Sequence, residues 1–149
     1  MKEIDPPKIP EWGATTVILA FLVSVLVAWF CLVAWWSFYP YTPIVVECPI
    51  KVLTPVVRAG DYLVYKIKYD KKMNITGKLS RKLVNSYKID LTETPATSPL
   101  GPDEDSVPVQ VPRFADAGEY YLWWSCEYKV NPIRTITIQA QSELFEVVR

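Results

Sequence analysis

Residues 116–140 read DAGEYYLWWSCEYKVNPIRTITIQA, and the alternation of side chains along this stretch decides the fold class. One register is apolar throughout and consists of Leu122, Trp124, Cys126, Tyr128 and Val130. Asn131-Pro132 then provides a turn, after which apolar and polar residues alternate again from Thr135 to Ala140. A period of two is typical of half-buried strands, so this stretch predicts two strands joined by a tight turn.

The flanking sequence predicts further short strands. Alternating or β-branched runs occupy residues 44–53, 63–69, 74–84, 87–91 and 107–111, and a last one ends at Val148. A turn at residues 59–61, a loop at residues 70–73 and an exposed proline-rich loop at residues 94–106 separate them. Pro108 places the 107–111 strand at a sheet edge. About seven or eight strands without a helical period predict an all-β antiparallel sandwich over residues 44–149.

A short motif at the start of this stretch resembles the tyrosine corner of immunoglobulin-like domains. Asp116, Gly118 and Tyr120 supply its D-x-G-x-Y pattern, and the resemblance covers roughly residues 44–149. It implies an immunoglobulin-like (Ig-like) β-sandwich in which the Tyr120 hydroxyl ties the corner to upstream backbone, a structural role. Leu122 stands where these domains usually have a core cysteine, so the standard inter-sheet disulfide is not expected and the module is divergent.

The segment before the predicted β domain is apolar. Residues 12–46 carry no charged side chain and contain the run ATTVILAFLVSVLVAWFCLVAWWSF. This predicts one transmembrane α-helix over residues 14–38, after a short tail of residues 1–13 and before a proline-rich linker of residues 39–43. The run is too long for a secretory signal and ends in bulky aromatics, so an uncleaved single-pass anchor is expected. The charged residues that flank the helix hardly favour either membrane orientation. We expect a cytoplasmic N-terminus and an extracytoplasmic domain.

Two kinds of side chain are predicted at the membrane interface. Aromatic rings suit the headgroup region, and lysines there contact anionic headgroups. The predicted interface residues are Trp12, Trp35, Trp36, Tyr39, Tyr41, Lys71 and Lys72. The two lysines are included because the Ig-like topology places their loop near the bilayer.

Small residues recur on one face of the predicted helix. Ala20, Ser24 and Ala28 are spaced by four residues, and Cys31 continues this face. Small residues at this spacing let two helices approach closely, so the face predicts a homo-oligomer or docking on a partner's helix. The alternative is that alanine and serine are simply common in such helices.

Two further cysteines fall on the inward register of their predicted strands. These are Cys48 and Cys126. In an Ig-like topology both would lie toward the membrane-proximal end, where an oxidising compartment would allow a disulfide. Otherwise they are small buried hydrophobic residues.

Composition excludes several functional classes. The chain has no histidine, which excludes imidazole catalysis and histidine-ligated metal. The acids of residues 103–105 are consecutive and lack the alternating spacing of a calcium loop. We therefore expect no enzyme, no metal site and no cofactor. Sixteen basic and 16 acidic residues give a formal net charge of zero, so no nucleic-acid partner is expected.

The charges are nevertheless segregated along the chain. Residues 66–88 are mostly basic and residues 90–119 mostly acidic. The favoured interpretation is that the two segments face one another across the folded domain. The alternative is a basic face for anionic lipid or an acidic partner.

The layout of anchor, aromatic juxtamembrane stretch and single β domain resembles small membrane proteins of bacteriophages and prophages. The nearest motifs are DAGEYY and YKVNPIR. The resemblance implies an accessory role at the host envelope, as a membrane-anchored binding or assembly module whose partners are the bilayer and another protein. The outward Tyr121 and Trp123 are candidate partner contacts, or else pack under a neighbouring loop. Two alternatives remain: a holin-like or lysis-regulating membrane-active protein, and an accessory single-pass subunit of a larger complex.

Overall fold

The first of two compact units is built on one helix. The computed structural model describes residues 13–149, and the chain divides into residues 1–39 and 40–149. Helix α1 (Ala14–Phe38) has no buried residue. Within the described part of the chain it is the one helix long and apolar enough to cross a membrane. The predicted apolar helix is therefore confirmed, and it covers the predicted residues.

The second unit is built from strands. They are β1 (Ile44–Val46), β2 (Lys51–Val52), β3 (Val56–Arg58), β4 (Tyr62–Lys71), β5 (Gly77–Val84), β6 (Lys88–Asp90), β7 (Thr94–Ala96), β8 (Gly101–Gln110), β9 (Gly118–Asn131) and β10 (Arg134–Val148). The prediction of a mainly β domain is confirmed. So is the turn predicted at Asn131-Pro132, because β9 and β10 form a hairpin there.

These strands form two sheets. In the smaller sheet β4 is central, with β1 and β2 along one side and β8 along the other, all antiparallel to β4. In the larger sheet the order is β3, β10, β9, β5, and β6 and β7 share the far side of β5. Only β3 and β10 run parallel among the pairs of these ten strands. Strand β8 lies at an edge, as Pro108 predicts.

Both sheets contribute alternate side chains to one hydrophobic core. From β4 these are Leu63, Tyr65, Ile67 and Tyr69, and from β9 they are Tyr120, Leu122, Trp124, Cys126 and Tyr128. The predicted registers of both strands are confirmed. Because successive side chains of a strand point to opposite faces, the residues between them lie on the outer faces of the sheets.

A register shift interrupts β10. The shift lies between Gln141 and Leu144, so the two strands predicted for residues 135–148 are one long strand with an irregularity. The backbone N–H of Leu122 donates to Ser142 Oγ at 2.8 Å. The serine hydroxyl thus supplies the acceptor that the irregular backbone does not, and the buried Ser142 has a hydrogen-bond partner.

The strand predicted over residues 44–53 is interrupted. β1 ends at Val46 and β2 begins at Lys51, and Pro49 between them has no N–H to donate to a strand ladder. Cys48 therefore leaves the predicted inward register, whereas Ile50 and Val52 are buried as predicted.

The loop predicted for residues 94–106 is wrong, although most of these residues are exposed as predicted. This stretch contains β7 and most of β8, and its acidic residues pair with β4. The Glu104 carboxylate forms an ion pair with Lys66 and lies 3.8 Å from Lys68 Nζ. Cross-strand ion pairs of this kind compensate for the low strand propensity of acidic residues.

The predicted juxtaposition of basic and acidic segments is confirmed by these contacts and by two more. Lys78 Nζ lies 2.7 Å from a Glu93 carboxylate oxygen, and Lys82 Nζ lies 2.7 Å from Asp90 Oδ1. The hydrogen bond from Lys78 lowers the pKa of Glu93. Both ion pairs are at the surface, so they orient the strands more than they stabilise the fold.

Candidate functional site

The tyrosine-corner-like residues form a hydrogen-bonded cluster before β9. The fully buried Tyr120 donates its hydroxyl to the Asp116 carbonyl oxygen at 3.1 Å. Tyr87 was not singled out by the sequence, yet its hydroxyl lies 2.9 Å from that of Tyr120 and accepts from the Asp116 N–H at 3.2 Å. Gly118 has φ +151, and a Cβ there would lie 3.1 Å from Asn85 Nδ2. The predicted tie from Tyr120 to upstream backbone is therefore present.

Stability should depend on Tyr120 at alkaline pH. Burial raises the pKa of Tyr120 to about 12, and the hydrogen bond with Tyr87 acts in the same direction. A tyrosine in the unfolded chain ionises near pH 10, so its contribution is complete below about pH 10 and is lost as the pH rises to about 12. We expect the urea midpoint to fall less steeply over this range for Tyr120→Phe than for the wild type. Burial raises the pKa of Tyr128 as well, so Tyr128→Phe should flatten the pH dependence in the same direction. Equal slopes for Tyr120→Phe and the wild type would contradict the assignment to Tyr120.

The disulfide that the sequence allows between Cys48 and Cys126 is not formed. Cys48 and Cys126 are both free thiols, the first exposed and the second buried. Cys48 lies in the interruption between β1 and β2, outside the predicted inward register. Cys126 lies against Gly77, and burial raises the pKa of its thiol. Cys126 therefore has the alternative role, that of a small buried residue.

The predicted headgroup contact of Lys71 is also wrong. Strand β4 continues through Lys71, which follows Ile67 and Tyr69 on the inward register. Its side chain is only 4% exposed, and Nζ donates to the Ser98 carbonyl oxygen at 2.7 Å. Lys72 is exposed and pairs with Asp70, so it alone of the two remains a candidate for lipid contact.

The residues predicted along α1 lie where the helix bounds place them. Ala20, Ser24 and Ala28 are exposed on one face, and Ser24 Oγ donates to the Ala20 carbonyl oxygen at 2.8 Å. The rings of Trp35 and Tyr39 are in contact near the end of α1, with centroids 4.6 Å apart. Trp36 and Tyr41 also belong to the described residues, whereas Trp12 lies outside them. Membrane contact by these residues stays a prediction.

The predicted partner contacts lie on the outer face of the larger sheet. Tyr121 is directly opposite Val84 of β5, and Trp123 is directly opposite Lys82. Directly opposite residues of antiparallel strands share a face, so these four side chains form one patch. Val84 is also buried. It is not part of the main core, because it lies on the outer face of the sheet.

A groove of about 310 Å³ lies over this patch and is lined by its residues. We call it the aromatic groove; it is lined by Lys82, Val84, Lys88, Tyr121, Trp123 and Gln139. Lys82 is held by Asp90, whereas no ion pair of Lys88 is present within residues 13–149. The groove therefore combines two partly exposed aromatic rings, a buried apolar floor and positive charge.

A second concavity was not anticipated from the sequence. A cavity of about 470 Å³ is lined by β4 and β8 of the smaller sheet and by β5, β7 and β9 of the larger one. Its most unusual residue is Arg81, which is 8% exposed. The sequence could have identified Arg81 as an inward-facing residue, because it shares the inward register of β5 with Leu79 and Leu83.

The chain matches no protein-family model and no curated protein. Weak likenesses exist to solved structures. One is the Pseudomonas fluorescens alkylpurine DNA glycosylase AlkC bound to DNA containing an abasic site analog, with 10% identity over 74% of this chain and 32% of that one and a TM-score of 0.43. Another is the β-glucosidase of Listeria innocua in complex with isofagomine, with 12% identity over 74% and 18% and a TM-score of 0.39. This chain thus spans about a third or less of either structure.

The prediction that the chain is not an enzyme requires correction. Both solved structures belong to enzymes, so the exclusion drawn from composition is withdrawn. Likenesses at these TM-scores assign no activity to the chain. The lack of histidine still excludes imidazole chemistry.

Proposed function

We propose that this chain is a membrane-anchored binding module. In this proposal α1 spans a bilayer, residues 44–149 form a divergent Ig-like sandwich, and the aromatic groove docks an acidic segment of a partner protein. The observation that carries the proposal is the placement of Tyr121 and Trp123 beside Lys82 and Lys88 on one outer face.

The chemistry of α1 supports the anchor. Its 25 residues rise ~37 Å, which is enough for the hydrocarbon core with modest tilt. Ser24 and Ser37, its polar side chains near the middle and the end, each donate to a backbone carbonyl four residues earlier at 2.8 Å. Neither hydroxyl is left unsatisfied in lipid, where a lost hydrogen bond is costly.

The two-sheet arrangement and the bonding of Tyr120 support the Ig-like assignment. Two mainly antiparallel sheets share one core, and the Tyr120 hydroxyl reaches backbone four residues upstream. This is the contact that the tyrosine corner of such domains makes. The rigid sheet gives the groove a fixed geometry, which reduces the entropy cost of binding.

The composition of the aromatic groove supports an acidic protein segment as the partner. Tryptophan and tyrosine dominate binding energy at protein interfaces because they bury large rigid surfaces. Lys82 and Lys88 border the rings, and opposite charge on the partner would steer and orient the complex. The partner segment should therefore carry at least one carboxylate beside an apolar side chain.

A selection experiment tests the proposal. The full chain is expressed in bacterial membranes, and one portion of the membranes is extracted with alkaline carbonate. A separate portion is placed in lipid nanodiscs at neutral pH and exposed to a random peptide library displayed on mRNA. We expect the chain to stay with the membranes and the enriched peptides to be acidic with an apolar residue. Trp123→Ala should weaken an enriched peptide by about 30-fold, the equivalent of a ~2 kcal/mol hot spot. Lys88→Glu should also weaken it and reduce the effect of salt.

The control is Glu127→Ala, because Glu127 is exposed on the same face of β9 outside the groove. It should leave peptide binding unchanged. Binding that survives Trp123→Ala, or enriched peptides without carboxylates, would contradict the docking surface. Recovery of the chain in the carbonate supernatant would contradict the anchor.

A further inference from the structure

Three buried polar atoms are without a hydrogen-bond partner in the described part of the chain, and all three line the same cavity. They are Tyr65 Oη, Arg81 Nε and Tyr128 Oη. Buried polar side-chain atoms in folded proteins nearly always have partners, because leaving one unsatisfied is costly. The cavity therefore contains polar groups with unused bonding capacity, of which Tyr65 belongs to one sheet and Arg81 to the other. It has about 470 Å³, within the usual range for small-molecule sites.

Arg81 gives this cavity a positive interior. Its Nη2 donates to Thr94 Oγ1 at 3.2 Å and to the Thr92 carbonyl oxygen at 3.4 Å, both neutral acceptors. Within residues 13–149 no carboxylate forms an ion pair with it. A buried cation is normally paired, and a guanidinium is well matched to a carboxylate.

The Tyr65 hydroxyl is close to this guanidinium. Burial raises the pKa of Tyr65, and the positive charge of Arg81 opposes that rise. A hydrogen-bonding contact with the guanidinium opposes the rise in pKa as well. The contact falls short of normal hydrogen-bond geometry, so Tyr65 Oη and Arg81 Nε are both left without a partner among the described residues. Tyr128 lies four residues beyond Trp124, the partner of Arg81 in the sheet, so the Cα atoms of Trp124 and Tyr128 are about 13 Å apart along β9.

Negative charge lines the edge of the cavity formed by β8, the strand paired with β4. Asp103 and Asp105 of β8 are directly opposite Tyr69 and Ile67, so they lie on the inward face of this edge strand. Both are exposed, and Tyr69 donates its hydroxyl to Asp103 Oδ2 at 3.2 Å. We call these two carboxylates the acidic rim. A ligand that is only anionic would be repelled by them.

We infer that the cavity binds a small zwitterion of the amino-acid type. Its carboxylate accepts hydrogen bonds from Arg81 Nε and the Tyr65 hydroxyl, and its ammonium group faces the acidic rim. The aromatic ring of Trp124, which also lines the cavity, packs against the remainder of the ligand. This site is separate from the aromatic groove, since Arg81 faces inward and Lys82 outward on the same strand.

The test uses the full chain in nanodiscs with identified probes. Each common free amino acid and glycine betaine is added at millimolar concentration, and binding is followed by the rise in Tm and by titration calorimetry. At least one of these zwitterions should bind. Arg81→Met and Tyr65→Phe should each weaken that probe at least about tenfold, because each removes a hydrogen bond to a charged group. Asp105→Asn should weaken it as well.

Lys78→Met is the matched control, since it removes a cation from the outer face of the same strand and lies outside both the cavity and the aromatic groove. It should leave the affinity of the probe unchanged. Acetate and ethylammonium carry one charge each and should bind at least about tenfold more weakly than the zwitterion. The inference is overturned if no zwitterion binds, if binding survives both Arg81→Met and Tyr65→Phe, or if acetate binds as tightly as the zwitterion.

Discussion

Replacing Gly77 with alanine is expected to destabilise the β domain by about 3 kcal/mol, the upper part of the range for overpacked cores. A Cβ at this position would lie 2.6 Å from Cys126 Sγ and 2.7 Å from Tyr128 Cε1. Both atoms belong to buried side chains of β9, the strand paired with β5, so neither can move freely. Urea unfolding of the fragment 40–149, followed by tryptophan fluorescence, measures the change.

Gly101→Ala is the matched control for this prediction. Gly101 has φ +92, but a Cβ added there would meet no atom within 4 Å, so alanine costs only backbone strain, about 1 kcal/mol. Cys126→Ala should recover part of the loss in Gly77→Ala, because it removes the closest atom. A Gly77→Ala fragment as stable as the wild type would show that β5 and β9 are not this close.

Reversing the charge of Lys71 is expected to have the second large effect. In Lys71→Glu a carboxylate would replace a buried ammonium that donates to the Ser98 carbonyl oxygen at 2.7 Å. The new group cannot donate when ionised, and we expect a loss of about 3 kcal/mol in the free energy of unfolding. The same urea experiment measures it at neutral pH.

Lys72→Glu separates this effect from a change in net charge. Lys72 is exposed, and its pair with Asp70 is a surface ion pair, so its reversal should cost less than about 1 kcal/mol. Lys71→Met should be intermediate, because it loses the hydrogen bond without burying a negative charge. Equal stabilities for Lys71→Glu and Lys72→Glu would place Lys71 at the surface, where the sequence alone predicts it.

The sequence predicted the parts of the fold that depend on local periodicity. The alternation around Leu122 and Trp124 identified β9 and its inward face, and the charge-free run identified α1. The failures have a shared cause, since they occur where tertiary contacts outweigh local preference. Lys71 is buried because β4 continues to a carbonyl acceptor, and Glu104 lies in a strand because Lys66 is beside it.

The candidate sites were predictable to different degrees. Tyr121 and Trp123 were identified because period two places them outward, but their lysine neighbours depend on which strands pair. Lys82 and Lys88 come from β5 and β6, and their proximity to β9 follows from sheet order. The cavity around Arg81 depends on how two sheets face one another. The periodicity of one strand contains no information about the distance between the two sheets.

The exposed edge of strand β8 affects whether neighbouring copies of this chain can associate side by side. Pro102 and Pro108 offer no backbone N–H along this border of the smaller sheet, and three consecutive acids follow the first proline. Neighbouring copies meeting border to border would find missing donors and like charges, which discourages lateral strand exchange. If α1 holds the molecules in one membrane, they should therefore stay monomeric at surface densities at which sheets with open edges would aggregate edge to edge.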